Sequence, residues 1–358
     1  MVMSYVGSMP GIRRRSYTPV MPPAAEPAAE STRAFAEVGA RVEVGGGQVG
    51  GDDVQLPRSQ AGSPPQHLLV TFLADYCLPR SVRLPSAALV TLAGDFGVTS
   101  ASARAALSRL ARRGVVEQTR QGRRTSYALG PAATRALNRG SRRLVAFAQD
   151  AEDWDGQWTV VAFSMSEDRR DARHLLRSRL RWQGFAPLYD GMWVSPRAGA
   201  AEAAEAVEGL DVPAVTVLRA GDVIPVGPGT RLPLQAWDLD EIAASYREFL
   251  DRWAPVVQRL RRGDVTAGEA LVVRTQIMDT YRRFPGLDPQ LPMRLMPAGW
   301  PRGQARALFA EAYDWLGPLA EARVRQLVAE HDGAVVPLVS HRTTADLLHG
   351  SSAPAASG

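Results

Sequence analysis

Residues 97–129, GVTSASARAALSRLARRGVVEQTRQGRRTSYAL, carry the pattern of one helix followed by a tight hairpin. Gly97-Val98 make a turn, and Thr99 or Ser100 can supply the oxygen that caps a helix N-terminus. Ala103, Ala106, Leu107 and Leu110 then recur at helical spacing and share one side. The opposite side carries Ala101, Arg104, Ala105, Ser108 and Arg112. Small side chains let a helix backbone sit deep in a DNA major groove, where an arginine can pair with guanine through two hydrogen bonds. Gly114 predicts the helix stop. Residues 115–119 and 125–129 predict two strands around the turn 120–124. A helix followed by an arginine-tipped hairpin is the pattern of a winged helix-turn-helix. The candidate DNA-binding residues are therefore Ser100, Arg104, Ser108, Arg109 and Arg112 on the helix and Arg120, Arg123 and Arg124 at the hairpin tip. The tip arginines suit phosphate or the minor groove, where they position rather than specify.

The distribution of charge agrees with that reading. All 42 basic residues are arginine, and the formal net charge is only +5. Residues 64–143 nevertheless hold thirteen arginines against Asp75, Asp95 and Glu117. Residues 1–63 hold six arginines and six acids, and residues 144–358 hold 23 arginines and 28 acids. One strongly basic module is attached to an acidic remainder, which is the electrostatic footprint of a polyanion-binding domain. No run of about 18 apolar residues predicts a membrane span, and the N-terminus lacks an apolar signal core. The single cysteine, Cys77, suits a reducing cytoplasm and reads as a core thiol. A cytoplasmic protein is the expectation.

Taken in order, the chain predicts an α+β, multidomain organisation. Residues 1–63, rich in Pro, Gly, Ala and Ser, read as a disordered extension; its Arg13-Arg14-Arg15 run could touch DNA. The winged-helix domain spans 64–148. Within it, helix 64–78 carries an apolar face of Leu68, Leu69, Phe72, Leu73 and Tyr76, and Ser86 caps a helix over 87–96. Pro131 starts a last helix, with Arg135, Arg139, Arg142 and Arg143 on it. The central domain, 149–226, alternates strand and helix as β-α-β-β-α-β: strands over 158–165, 184–189, 192–195 and 214–219, helices over 168–182 and 199–207. That order is the split βαβ, ferredoxin-like arrangement. A helical C-terminal domain spans 227–332, with Pro255 bending its first helix and Gly317-Pro318 breaking its last. Residues 333–358 read as a flexible tail.

Five segments resemble the PaaX family of bacterial transcriptional repressors, which govern phenylacetic-acid catabolism and related pathways. They are ARAALSRLARRG with GRRTSYAL, WDGQW with LRWQGFAPL, and YRRFPGLDPQLPMRLMPAGWPRGQARALF. The similarity covers about residues 65–330 in order. It implies a homodimeric repressor on double-stranded operator DNA, released by an aryl-CoA thioester such as phenylacetyl-CoA, with no catalytic residues and no metal. A dimer would set two recognition helices about one helical turn, ~34 Å, or a multiple apart.

A CoA thioester needs arginines for its phosphates and an apolar recess for its aryl group. Tyr281, Arg282, Arg283, Trp300, Arg302 and Arg306 supply both types in the C-terminal domain, and Trp182 and Phe185 offer a second lining in the middle domain. Tryptophans flanked by Pro and Gly serve equally well as packing anchors between domains. Two other readings are open. One is a leucine-responsive-type regulator whose ferredoxin-like domain binds an amino acid, which leaves the C-terminal helices without a purpose. The other is a metal-dependent ferredoxin-like nuclease, for which Phe163-Ser164-Met165 lacks an aspartate at the end of the first strand. The five histidines show no zinc-type spacing, and no nucleophile elbow or phosphate-cradling glycine loop occurs.

Overall fold

A computed structural model describes residues 64–147, 154–224 and 226–349. The expectations for residues 1–63 and for the last nine residues lie outside them. Helix α1 (Pro64–Tyr76), α2 (Ser86–Gly94) and α3 (Ser100–Arg112) bury their apolar positions against one another. In α3 those positions are Ala103, Ala106, Leu107 and Leu110, all fully buried. Thr99, not Ser100, is the N-cap, its Oγ1 accepting from the Ser102 amide at 3.3 Å. Gly114, at φ 66°, ends α3 in a Schellman turn: Val115 N donates to Leu110 O and Gly114 N to Ala111 O, each at 3.0 Å. Ser86 sits inside the first turn of α2 rather than capping it, because Pro85 occupies the N-cap position.

Strand β1 (Leu84–Pro85), β2 (Val116–Gln121) and β3 (Arg124–Leu129) form an antiparallel sheet in the order β1-β3-β2. The hairpin is tighter than the sequence suggests. Arg120, Gln121 and Arg124 belong to the strands, paired as Arg120 with Thr125 and Gln121 with Arg124. Only Gly122 and Arg123 turn, Gly122 supplying the positive φ that such a turn requires. Gly130 then passes to α4 (Pro131–Ala146).

The central unit is β4 (Trp158–Ser164), α5 (Arg170–Trp182), β5 (Ala186–Tyr189), β6 (Met192–Ser195), α6 (Ala200–Val207) and β7 (Ala214–Ala220). Its sheet is antiparallel in the order β5-β6-β4-β7, the arrangement a split βαβ unit takes. Alternation along the strands sends Val161, Trp193, Val215 and Val217 toward α5 and α6. The other face, with Trp158, Val160, Leu188 and Val194, is covered by Trp154, Trp237 and Leu295.

Helices α7 (Leu239–Arg261), α8 (Ala267–Tyr281), the one-turn α9 (Phe284–Leu287), α10 (Arg302–Ala329) and the short α11 (Thr344–His349) follow. Their core is continuous with that of α1–α4, whereas the central unit keeps its own. Two expectations change. Helix α10 runs unbroken through Gly317-Pro318; Gly317 faces the His341 ring so closely that a Cβ there would lie 2.4 Å from it. Residues 333–349, expected as tail, are built onto the bundle: Val339, Arg342 and Leu347 are buried, and α11 packs on α4. Thr344 bonds both oxygens of Asp314 at 2.7 Å, and Ser340 N donates to Tyr76 O at 3.2 Å. Among the described residues no helix is long and apolar enough to cross a membrane.

Candidate nucleic-acid interface

The fold of α3 and the hairpin determines which side chains reach solvent. With Ala103, Ala106, Leu107 and Leu110 inside, Ser100, Arg104, Ser108, Arg109 and Arg112 are all exposed. Arg120, Arg123 and Arg124 are exposed on the hairpin. All eight residues therefore lie outside the core. Glu117, the one acid in the hairpin, is paired with Arg83 at 2.9 Å, and Arg83 also reaches Thr119 Oγ1 at 2.8 Å. Its charge is thus compensated at the base of the hairpin, and the tip stays cationic.

This module is bolted to the C-terminal helices by buried polar contacts. Arg274 of α8 donates to Asp75 Oδ2 at 3.3 Å and to the Tyr76 hydroxyl at 3.2 Å, and Tyr313 of α10 donates to Asp75 Oδ1 at 3.0 Å. Burial, the largest influence, holds the Asp75 carboxyl above its ordinary range despite Arg274 and the Tyr313 hydrogen bond. At a second contact Arg282 donates to His67 Nδ1 at 3.2 Å, which leaves the Nε2 proton for Asp279 Oδ1 at 2.9 Å. Arg323 grips Asp95 with two bonds, 2.9 and 3.1 Å, just before the turn into α3. His331 meets Thr91 of α2 at 2.9 Å.

The residues proposed to line an effector site divide. Tyr281 is buried and stacks on Phe309 with ring centroids 4.0 Å apart. Arg302 is buried in a two-pronged pair with Asp288, both bonds 2.8 Å, and the Tyr246 hydroxyl donates to the same carboxylate at 2.7 Å. These contacts fold the long FPGLDPQLPMRLMPAGW loop back onto α7. Trp300 is buried edge-on to Tyr246, and its indole N–H has no acceptor among the described residues. Arg282, Arg283 and Arg306 are partly exposed, and burial lowers the pKa of Arg282 and Arg283. Phe185 lies in the core under the central sheet, whereas Trp182 is 65% exposed with Arg143 of α4 5.7 Å from its ring. Sequence reasoning missed Asp288 and Asp75, whose partners lie 14 and 199 residues away. Cys77 is buried, and burial raises its thiol pKa.

Comparison with known proteins returns one family along the chain. The model described as PaaX-like protein matches residues 65–133, the PaaX protein central Cas2-like domain matches 151–230, and the PaaX-like protein C-terminal domain matches 237–326. The Transcriptional repressor PaaX of Escherichia coli (strain K12) is 29% identical over 245 residues, which is 66% of this chain and 76% of that protein. Among solved structures, Uncharacterized protein Rv0674 from Mycobacterium tuberculosis aligns with a TM-score of 0.43 and 20% identity, covering 68% of this chain and 89% of that one.

Proposed function

This chain belongs to the PaaX family, and we propose that it is a transcriptional repressor that reads duplex DNA through a winged helix-turn-helix. The observation that carries this reading is the division of α3. Its apolar residues are fully buried, and its outward side is small, polar and cationic. Helix α3 is the recognition helix, with Arg104, Ser108 and Arg112 toward base edges and Ser100 and Arg109 beside them. Arg120, Arg123 and Arg124 grip the backbone as the wing. The chain acts as a homodimer on a pseudo-palindromic operator of an aromatic-acid catabolic operon, and it has no catalytic role.

An aryl-CoA thioester of the phenylacetyl-CoA type releases the operator. A ligand can do this only by binding the DNA-incompetent arrangement more tightly. Arg282, Arg283 and Arg306, each partly exposed, would receive its phosphates and the Trp300 indole N–H its carbonyl; Tyr281 and Arg302 shape the wall from within. The Arg282–His67–Asp279 contact joins that region to α1, so ligand on Arg282 would pull at the DNA-reading module. The test is fluorescence anisotropy on the duplex upstream of the chain's own gene, titrated with phenylacetyl-CoA and with free coenzyme A. Tight, salt-sensitive binding released by the thioester alone is the expected result. Binding that ignores every aryl-CoA tried would overturn the release mechanism, and no DNA binding at any salt would overturn the whole reading.

A further inference from the structure

Helix α4 belongs to neither the recognition helix nor the wing, yet its exposed side is unusually charged. From residue 118 to 149 the chain carries seven arginines and no acid. Four of them, Arg135, Arg139, Arg142 and Arg143, are exposed on α4. At about 100° per residue they fall within about 100° of arc, opposite the buried Ala133 and Leu144. From Arg135 to Arg143 the stripe is about 12 Å long at 1.5 Å per residue. Among the described residues no carboxylate pairs with Arg135, Arg142 or Arg143. Arg143 instead sits 5.7 Å from the Trp182 ring of the central unit, an exposed aromatic that perches the last guanidinium of the row.

We infer that this face of α4 is a second DNA-backbone surface, which lays its arginines along the phosphates flanking the sequence that α3 reads. The inference rests on the reading of the chain as a DNA-binding regulator. On the C-terminal helices several arginines are neutralised: Arg259 by Glu269, Arg261 by Glu311, Arg323 by Asp95 and Arg302 by Asp288. Leaving Arg135, Arg142 and Arg143 without a carboxylate raises self-repulsion that a polyanion relieves. A straight row on a convex helix fits a linear polyanion better than a compact anion, which needs donors converging on one point. A strand of B-DNA presents a phosphate about every 3.4 Å of axis, so the row can meet about three. Helix α4 also follows the wing after the single residue Gly130, so this surface continues the cationic run of the hairpin. The segment leading into α11 abuts the flank of this row, where Arg342 donates to Asn138 Oδ1 at 3.4 Å, one turn before Arg142.

The test uses the full chain and duplex DNA of random sequence, about 30 base pairs long, over a salt series. The triple variant R135Q/R142Q/R143Q is compared with wild type and with R135K/R142K/R143K, after circular dichroism shows all three folded. Each lost phosphate contact flattens the plot of log K against log salt by about 0.9, so the glutamine variant is expected to lose about 2 to 3 from the slope, and about a hundredfold in affinity near 0.1 M salt. The lysine variant should keep both. An unchanged slope in the glutamine variant, with wild type binding steeply, overturns the second surface and leaves α3 and the wing standing. A glutamine variant that keeps its slope but loses binding of phenylacetyl-CoA would assign the row to the small anion and overturn the inference equally. Failure of wild type to bind any duplex defeats the underlying DNA reading.

Discussion

Asp75→Ala probes the joint between the α1–α4 module and the helices behind it. Asp75 and Arg274 are 5% and 0% exposed, so neither can turn to water when the other is lost. Truncation would leave the Arg274 guanidinium with three neutral partners, the Tyr76 hydroxyl and the carbonyls of Tyr313 and Arg342, and it would strand the Tyr313 hydroxyl. Removing one member of a buried pair destabilises by about 3–5 kcal/mol. The Tyr313 ring, 3.8 Å from the guanidinium, faces it with or without Asp75, which keeps the loss at the lower end of that range. The expected loss is therefore about 3 kcal/mol. Asp75→Asn keeps an acceptor for Tyr313 and removes a carboxylate that burial disfavours, so it should lose less. Urea unfolding, followed by the tryptophans and by amide exchange of α3, reads both variants. Because α1–α4 share their core with α7–α10, both signals should move together to lower denaturant. A change under about 1 kcal/mol, or a shift in the C-terminal signal without α3, would refute the idea that Asp75 fastens the two halves.

Other substitutions follow from single contacts. Gly317→Ala should gain about 1 kcal/mol of helix propensity in an open position, but here the new methyl meets the His341 ring and the net result should be a loss of about 1–3 kcal/mol; a raised melting temperature would contradict it. Burial raises the Glu321 pKa, but bonds from the His341 amide and ring, with Arg325, lower it further, to below its ordinary 4.5. A depressed carboxylate contributes stability that is present above the unfolded value and lost as pH falls through the folded one. Glu321→Gln should therefore be less stable than wild type at pH 6, with the gap closing below pH 4.5 in thermal melts; a gap independent of pH would be the wrong sign of coupling. Gly122→Val places a β-branched residue at φ 59° in a two-residue turn, and should weaken DNA binding by distorting the β2–β3 hairpin while the melting temperature barely moves, as paired anisotropy and calorimetry would show.

Local pattern made much of this molecule readable. The α3 periodicity, its Gly114 stop and the alternating hairpin are written in neighbouring residues, and so are the strand–helix alternations of the central unit. The hairpin turn is shorter than the sequence suggests, by Arg120 and Gln121 on one side and Arg124 on the other, because Arg and Gln carry no alternation signal, whereas Gly122 marks the turn. Contacts between distant segments were not readable. Arg302 in sequence looks like a cation offered to a ligand, and only the fold brings Asp288 under it. Pro318 reads as a break, yet α10 continues through it. Residues 339–349 lack periodicity because hydrogen bonds to Asp314, Glu321 and Tyr76 hold them more than an apolar stripe does. For the same reason nothing in the sequence reveals that α1–α4 and α7–α11 share one core.

Sequence selection tests the central claim most directly. A randomised duplex pool is passed over wild type and over Arg104→Ala, and the enriched sequences are compared. Wild type should converge on two related half-sites, their centres about 10 base pairs or a multiple apart, and Arg104→Ala should lose preference at one position in each half while still binding DNA. Enrichment of the same motif by both proteins, or no enrichment by wild type, would mean that the exposed side of α3 does not read bases.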